Sequence, residues 1–388
     1  MKIGVFSTMY PTNKCPNNGI FIIEELKHLS KHIPVKLIAP LNIVHWFGED
    51  HYYTSHDGYP VWRPFIVAVP WGILQRFYPD SMAMTIKMTG KNFFLDCDIV
   101  HAHMAFPDCI ASIKVFGKRL PVIVTVHGWD MQYFAMKSYL KPDIIKALNL
   151  SKRVICVSNS LMESIKEIGV TTDAVVIPNG IDTSLFIPGD KDNACRSLDL
   201  DPQRPRILFI GNFVVEKGIE YLIRAMPVVQ EKYPESELIL LGARVGSKDI
   251  TQYDEIISKA DVKQAVKIVG SVPHEHIPTW IHASDLLVLP SIIEGFGLVA
   301  AEALVCGRPV VTTLSGGPED IVEDGMGVLV PTRDASALAQ GIIQVLNGDG
   351  ILSSESISEL ARSRFSYDIV TSKILDIYHD VLSHLHVM

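Results

Sequence analysis

The chain has 388 residues, 48% hydrophobic and 20% charged, with 35 Lys and Arg against 43 Asp and Glu for a net charge of −8. This composition excludes a disordered chain, and the length exceeds what one hydrophobic core ordinarily organises, so two domains are expected. The charge is uneven: residues 1–182 hold 18 basic and 15 acidic groups (+3), and the remainder 17 and 28 (−11). Nucleic acid is therefore not an expected partner, and the mildly basic first half is either ordinary surface or a face for an acidic substrate or anionic lipid. Six scattered cysteines without a CxxC pair read as a reducing, cytoplasmic protein. The N-terminus MKIGVFSTMYP lacks a signal peptide's apolar region, and no apolar run reaches the roughly 20 residues of a spanning helix, so any membrane association is expected to be peripheral.

In chain order, Lys2 to Ser7 reads as a strand, the turn-rich YPTNKCPNNG ends at Gly19, and Ile22, Leu26, Leu29 and Ile33 fall at helical spacing. No GxGxxG links this strand to its helix, so the dinucleotide fingerprint is missing. Val35 to Ala39 is the next strand. From Trp46 to Tyr78 the chain is irregular and aromatic, with Trp46, Phe47, Tyr52, Tyr53, Trp62, Trp71, Phe77 and Tyr78. Core packing is the ordinary reading of these aromatics, and an acceptor cleft or membrane-facing edge is the alternative.

The strands DIVHAH (Asp98 to His103), Val122 to Val126 and Val154 to Val157 continue the alternation. Asp96-Cys97-Asp98 has the spacing of the DxD metal motif of some sugar transferases, but acidic residues opening a buried strand are commonplace. His127, in His127-Gly128-Trp129-Asp130, follows a strand's carboxyl end, where ligands of a parallel sheet gather. The polar stretch from Asp182 to Arg206 is the best candidate linker. A second series then begins: Ile207 to Ile210, a helix from about Gly218 to Lys232, Leu238 to Leu241, a helix from about Thr251, and Val266 to Val269. Two successive βαβ series predict two doubly wound domains. Gly316-Gly317-Pro318-Glu319 is a glycine turn before a helical DIVEDG, Gly327 to Pro331 is a final strand, and Tyr367 to Leu385 is a helix.

The most informative stretch is Ser284 to Pro309. Its apolar run Leu286 to Pro290 suits a buried strand, and a loop with Glu294, Gly295, Phe296 and Gly297 follows. Helical spacing through Leu298, Ala301 and Val305 then ends at Gly307 and Pro309. Strand, glycine loop and helix with two carboxylates suit a nucleotide: helix-opening amides favour a phosphate, and Glu302 can accept hydrogen bonds from a ribose diol. Lys217, near another helix start in GNFVVEKG, is placed for a diphosphate.

Taken together these residues resemble the retaining GT-B glycosyltransferases of family 4, the glycosyl transferases group 1 type. The anchor is E-G-F-G-L-x-x-x-E, Glu294 to Glu302. Around it stand the Gly19 loop, DIVHAH, TVHGWD, VIPNGID, GNFVVEKG, the Leu241-Gly242 strand end, IVGSVP and SGGPEDIVEDG, in order over nearly the full length. The resemblance implies an α/β, GT-B fold: two Rossmann-like doubly wound domains facing across a cleft. Residues 1–184 would form the acceptor-side domain and 185–366 the nucleotide-sugar domain, while 367–388 would be a C-terminal helix packing back on the first.

It further implies that Glu302 binds ribose, Glu294 the donor sugar, and Lys217 the diphosphate. Phe296, Gly297 and Leu298 would offer backbone to the phosphates and sugar, with Gly295 at the join, and Val272 a backbone contact to the base. Gly242 and Asn212 would bind the donor from strand ends, His127 would stand near the donor sugar and Gly19 on the loop over the diphosphate, with His127, Lys217 and Glu294 as the expected catalytic residues. Many members carry Arg where this chain has Asn212, leaving Lys217 alone or Arg244 as a substitute. The expected reaction is retaining, metal-independent transfer from an NDP-sugar (UDP- or GDP-linked) to a glycan or lipid-linked acceptor in cell-surface polysaccharide synthesis, at the cytoplasmic membrane face. No cofactor is expected, the nucleotide sugar being a co-substrate. A nucleotide-sugar epimerase and a non-catalytic nucleotide-sugar-binding subunit are the alternatives.

Overall fold

Near-continuous apolar runs become parallel strands, because a strand that is covered by helices on both faces has no polar side to show. The computed structural model describes all residues except 14, 16, 17, 47, 48, 68–73, 91, 243–248 and 386–388, so Phe47, Trp71 and Arg244 lie outside the described residues. The chain divides into two compact units, Met1–Gly180 with Tyr367–Met388, and Ile181–Ser366. The first division thus falls between Gly180 and Ile181, where the sequence reading has 184/185.

The first unit carries β1 (Ile3–Phe6), β2 (Val35–Ile38), β3 (Leu41–Asn42), β4 (Tyr52–Thr54), β5 (Pro60–Trp62), β6 (Phe65–Ile66), β7 (Ile99–His103), β8 (Val122–Val126), β9 (Arg153–Cys156) and β10 (Ala174–Val176). Eight of these form one sheet in the order β10-β9-β8-β7-β1-β2-β5-β4, parallel except for the antiparallel edge pair β4 and β5. One core gathers Ile3, Val5, Ile22, Leu26 and Leu29 with Val370, Ile374, Tyr378 and Val381 of the C-terminal helix, Tyr367–Leu385. These helix positions lie three or four apart and make one stripe, which explains why the last helix belongs to the first unit. A second core holds Phe6, Ile38, Met82, Ile86, Phe94 and Phe116. The aromatic region divides: Trp62 packs against that core, while Tyr52 and Phe77 are exposed.

The second unit carries β11 (Arg206–Ile210), β12 (Glu237–Leu241), β13 (Val266–Gly270), β14 (Leu286–Leu289), β15 (Val310–Thr313) and β16 (Gly327–Val330). All neighbours are parallel, in the order β13-β12-β11-β14-β15-β16. This is the doubly wound order with its reversal between β11 and β14.

Two sequence expectations need correction. The stretch from Asp182 to Arg206 is folded into the second unit: Asp190 caps the helix Lys191–Ser197 by accepting from the Asn193 amide (2.8 Å), and Arg206 opens β11 fully buried. Its polar residues serve caps and ion pairs. DIVEDG is a turn after a short 3-10 segment, Pro318–Asp320. The guanidinium of Arg364 donates to the carbonyls of Asp320 and Ile321, the acceptors that a continuing helix would give to its own amides.

Arg206 has no exposed surface; it donates to Glu237 Oε2 (2.9 Å) and to the carbonyls of Ala283 (2.9 Å) and Asp201 (3.0 Å). Arg206→Ala should destabilise the second unit by about 3–5 kcal/mol, because it leaves buried acceptors unpaired. Lys267→Ala removes a partly exposed partner of the same Glu237 and should cost under about 1 kcal/mol. Denaturant midpoints measured at constant slope check the difference.

Candidate active site

Where the strand order reverses, the loops leaving β11 and β14 diverge around a crevice that neither strand fills. The β11 loop passes Asn212, which is exposed, and Phe213, which is buried, before reaching Lys217 and Gly218. Gly218 has φ +63 and opens the helix Ile219–Lys232. A Cβ at this position would stand 2.1 Å from the Pro290 carbonyl oxygen at the end of β14, so both backbone angle and close approach call for glycine. The two loops are tied again where the Ile292 amide donates to the Glu216 carbonyl (2.8 Å).

This proximity sets the central contact. Lys217 Nζ donates to Glu294 Oε2 at 2.6 Å, and the Ser291 hydroxyl donates to the same oxygen at 3.0 Å. Glu294 is anchored through its backbone by the loop after β15: its amide donates to the Ser315 carbonyl (2.9 Å), and its carbonyl accepts from the Gly317 amide (2.9 Å). Both charged side chains are largely, but not wholly, shielded. A cation and a carboxylate are thus held at one crevice by three strand-end loops.

Beyond Glu294, Gly295 and Phe296 are buried, and the Phe296 ring packs edge-on against Phe365 at 5.9 Å. Gly297, φ +103, then opens the helix Leu298–Val305, with Leu298 half-buried. The first amides of this helix have no intrahelical acceptors and carry the positive end of its dipole. Glu302 lies on the helix with 4% exposure, its Oε1 3.4 Å from His274 Nε2, and burial raises its carboxyl above the ordinary range. His274 follows the half-buried Val272 on the loop after β13. Gly242, at the end of β12, lies so close to Gly211 that a Cβ would sit 1.9 Å from its carbonyl oxygen. Within the second unit, all the site residues taken from the sequence therefore lie on the strand-end loops or on the helix that opens from one of them.

In the first unit Gly19, buried with φ +69, opens the helix Ile20–Leu29 after β1. His127 follows β8. Its amide donates to Asp130 Oδ2 (2.8 Å), while the Ala105 amide donates to Oδ1 (2.8 Å). Burial pushes the Asp130 carboxyl up to about 6, against the pull of those amides. The His127 ring then meets His103, Nε2 to Nδ1, at 3.2 Å. Asp96 and Asp98 do not form a metal motif: Asp96 accepts from Lys2 (2.7 Å) and Lys36 (2.6 Å), and Asp98 accepts from the Lys2 amide (2.7 Å), at the amino end of β7, away from the strand ends that carry His127.

Ser291, His274, Asp130 and the buried acid Glu25 escaped sequence reasoning. Glu25 falls on the apolar face marked by Ile22, Leu26 and Leu29, and a carboxylate in that stripe is a legible signal.

Residues 190–364 match the family model described as Glycosyl transferases group 1, and residues 21–185 that of Glycosyltransferase Family 4. A D-inositol 3-phosphate glycosyltransferase of Xylanimonas cellulosilytica is 31% identical over 300 residues, covering 72% of this chain and 71% of the relative. The Bacillus subtilis protein TuaC, whose name assigns it to glycosyl transfer in teichuronic acid biosynthesis, is 29% identical, covering 88% of each chain. Among solved structures, Anabaena HepE in complex with UDP superposes with a TM-score of 0.76 at 19% identity, over 98% of this chain and 100% of the other. The two doubly wound units are those of the GT-B fold.

Gly218→Ala should lower the thermal midpoint clearly, by more than about 1 kcal/mol of stability, since it adds a left-handed strain to a backbone collision. Gly58→Ala, at φ +86 with nothing within 4 Å, should lower it less. Equal shifts in paired thermal melts would show that the Pro290 approach is immaterial.

Proposed function

We propose, since the chain belongs to the family of group 1 glycosyl transferases, that it moves a sugar from a nucleoside diphosphate sugar to a hydroxyl of a glycan or lipid-linked acceptor in cell-surface polysaccharide synthesis. The transfer retains anomeric configuration, and it uses neither metal nor cofactor. The observation that carries this reading is the 2.6 Å contact of Lys217 with Glu294 at the β11/β14 reversal, beside the helix opened by Gly297. HepE, of the same fold, binds UDP, and the name of TuaC points to a polymer of the cell surface.

The reaction requires neutralising a departing diphosphate while positive charge builds on the sugar ring. Lys217 and the amides following Gly297 supply fixed positive potential, which is worth most where it is preorganised. When Lys217 turns to the diphosphate, the Glu294 carboxylate is released to accept hydrogen bonds from sugar hydroxyls, with Ser291 still orienting it. Glu302 takes the ribose diol, Val272 the base, and Phe296 and Leu298 offer backbone to the phosphates and sugar. Gly242 and Asn212 flank the donor, and Gly19 and His127 are read as contacts to the diphosphate and the sugar. Attack on the same face, with a leaving phosphate oxygen taking the acceptor proton, needs no protein nucleophile.

A lipid-linked acceptor is supported by a face of the first unit where Leu74, Phe77, Met136 and Tyr139 are exposed beside Arg76 and Lys137. The Lys137 ammonium donates to Gln75 (2.8 Å), which joins the two segments. Apolar side chains rimmed by cations suit the interface of an anionic membrane. Among the described residues no helix is long and apolar enough to cross one.

Lys217→Ala should lower turnover about 10²–10³-fold, measured as sugar release from the preferred donor in a screen of UDP, GDP and ADP sugars. Near-normal turnover would remove Lys217 from the leaving group. Glu302→Ala should mainly weaken nucleotide binding, read by calorimetry with UDP and GDP. The paired change Phe77→Ser with Met136→Ser should reduce flotation with phosphatidylglycerol vesicles and leave donor hydrolysis intact. Unchanged flotation would exclude this face as the membrane contact.

A further inference from the structure

Three buried titratable side chains and the part-exposed His127 lie around the order reversal of the first sheet, between β1 and β7. His101 and His103 are on β7 with no exposed surface, His127 follows β8, and Glu25 comes from the helix Ile20–Leu29 with 8% exposure. His101 is closed off: its Nδ1 meets the Tyr378 hydroxyl and its Nε2 the Thr125 hydroxyl, each at 2.7 Å. Having both nitrogens engaged, it is a poor ligand for any cation placed among these groups. The other three form a line. Glu25 Oε1 stands 3.5 Å from His103 Nε2, and His103 Nδ1 stands 3.2 Å from His127 Nε2. Glu25 Oε1, His103 Nε2 and His127 Nδ1 are all out of water, with no hydrogen-bond partner among the described residues. A shortening of about half an ångström would join the first two, and a buried polar pair left unjoined is costly.

Burial holds all three histidines neutral at ordinary pH, pulling His101 and His127 down to about 3, and pushes Glu25 up to about 8. A neutral imidazole has one N–H and one lone pair, so donations along the line must all run one way. A protonated Glu25 donates to His103 Nε2; His103 then donates from Nδ1 to His127 Nε2, and the His127 hydrogen must sit on Nδ1. Ionised Glu25 reverses every step and leaves Nδ1 a bare acceptor. Because Nδ1 is shielded, water does not choose between these tautomers, and the partner of the other nitrogen does.

We propose that Glu25, acting through His103, is a positioning residue that sets which ring nitrogen of His127 carries the hydrogen, the shielded Nδ1 when Glu25 donates and Nε2 when it accepts. The sugar contact of His127 rests on the reading given above; the tautomer does not. Among the described residues the ionisable groups facing Glu25 are His101 and His103 on β7 and Tyr378 on the C-terminal helix, with His127 beyond, and none of these is a counter-cation for Glu25.

Histidine-selective ¹⁵N NMR of the full chain, with His127 assigned by loss in His127→Gln, reads the tautomer directly. The wild type should show the Nδ1–H form at pH 7 and lose it as pH rises through about 8. Glu25→Gln, which still donates, should hold the Nδ1–H form to higher pH and rescue the rate. Glu25→Met should give mixed tautomers and cut kcat about tenfold, as lost orienting partners do, with UDP affinity unchanged. An identical His127 tautomer in Glu25→Met and wild type overturns the proposal, as does Glu25→Gln behaving like Glu25→Met in a folded protein. If the tautomers behave as expected but His127→Ala turns over normally, the relay stands and the sugar assignment of His127 falls.

Discussion

A parallel sheet must be covered on both faces, and this constraint organises each unit. Strands such as Leu286–Leu289 and Val310–Thr313 are buried throughout, so their connections have to cross over as helices, some on one face and some on the other. Changing faces reverses the strand order once, at β1/β7 in the first unit and β11/β14 in the second. At that point the loops leaving neighbouring strands lead into helices on opposite faces of the sheet. The contact of Lys217 with Glu294 stands at this reversal.

The reversal brings together charges that no local rule would pair. Lys217 and Glu294 are 77 positions apart, yet their side chains meet at 2.6 Å. In that partly shielded setting the pair offsets the cost of holding either charge alone. Gly218 and Pro290 hold the backbones close enough for this contact, so the glycine shapes it although it offers no side chain.

The first unit handles its polar groups differently. Around β7 and β8 it buries imidazole rings and carboxyls whose burial disfavours their charged forms, where the second unit pairs Lys217 with Glu294. Asp130 gathers two backbone amides and sets the turn that carries His127, while the line of His103 and Glu25 approaches the ring from the other side. Such a network is directional, since each neutral ring can pass on only one hydrogen. The C-terminal helix takes part, because Tyr378 occupies His101 and so separates it from that line.

Much of this was legible in the sequence. The apolar runs and their spacing determined the alternation of strands and helices, including the last helix, and the motif from Glu294 to Glu302 marked the strand, loop and helix of the central site. An error came where a side chain from far along the chain intervenes: Arg364 takes the carbonyls that would have continued DIVEDG as a helix. The sequence by itself thus settled the alternation of the long apolar strands with amphipathic helices and the residue types at their ends, because periodicity and turn chemistry act over a few residues, while the short strands between Trp46 and Tyr78 and the helix Lys191–Ser197 left no such pattern. Only the tertiary structure decided which ends meet. The Lys217 to Glu294 contact, the tie between Gly218 and Pro290, and the line from Glu25 to His127 all depend on strand order, which is set by the covering of two sheet faces and leaves no local mark on the chain.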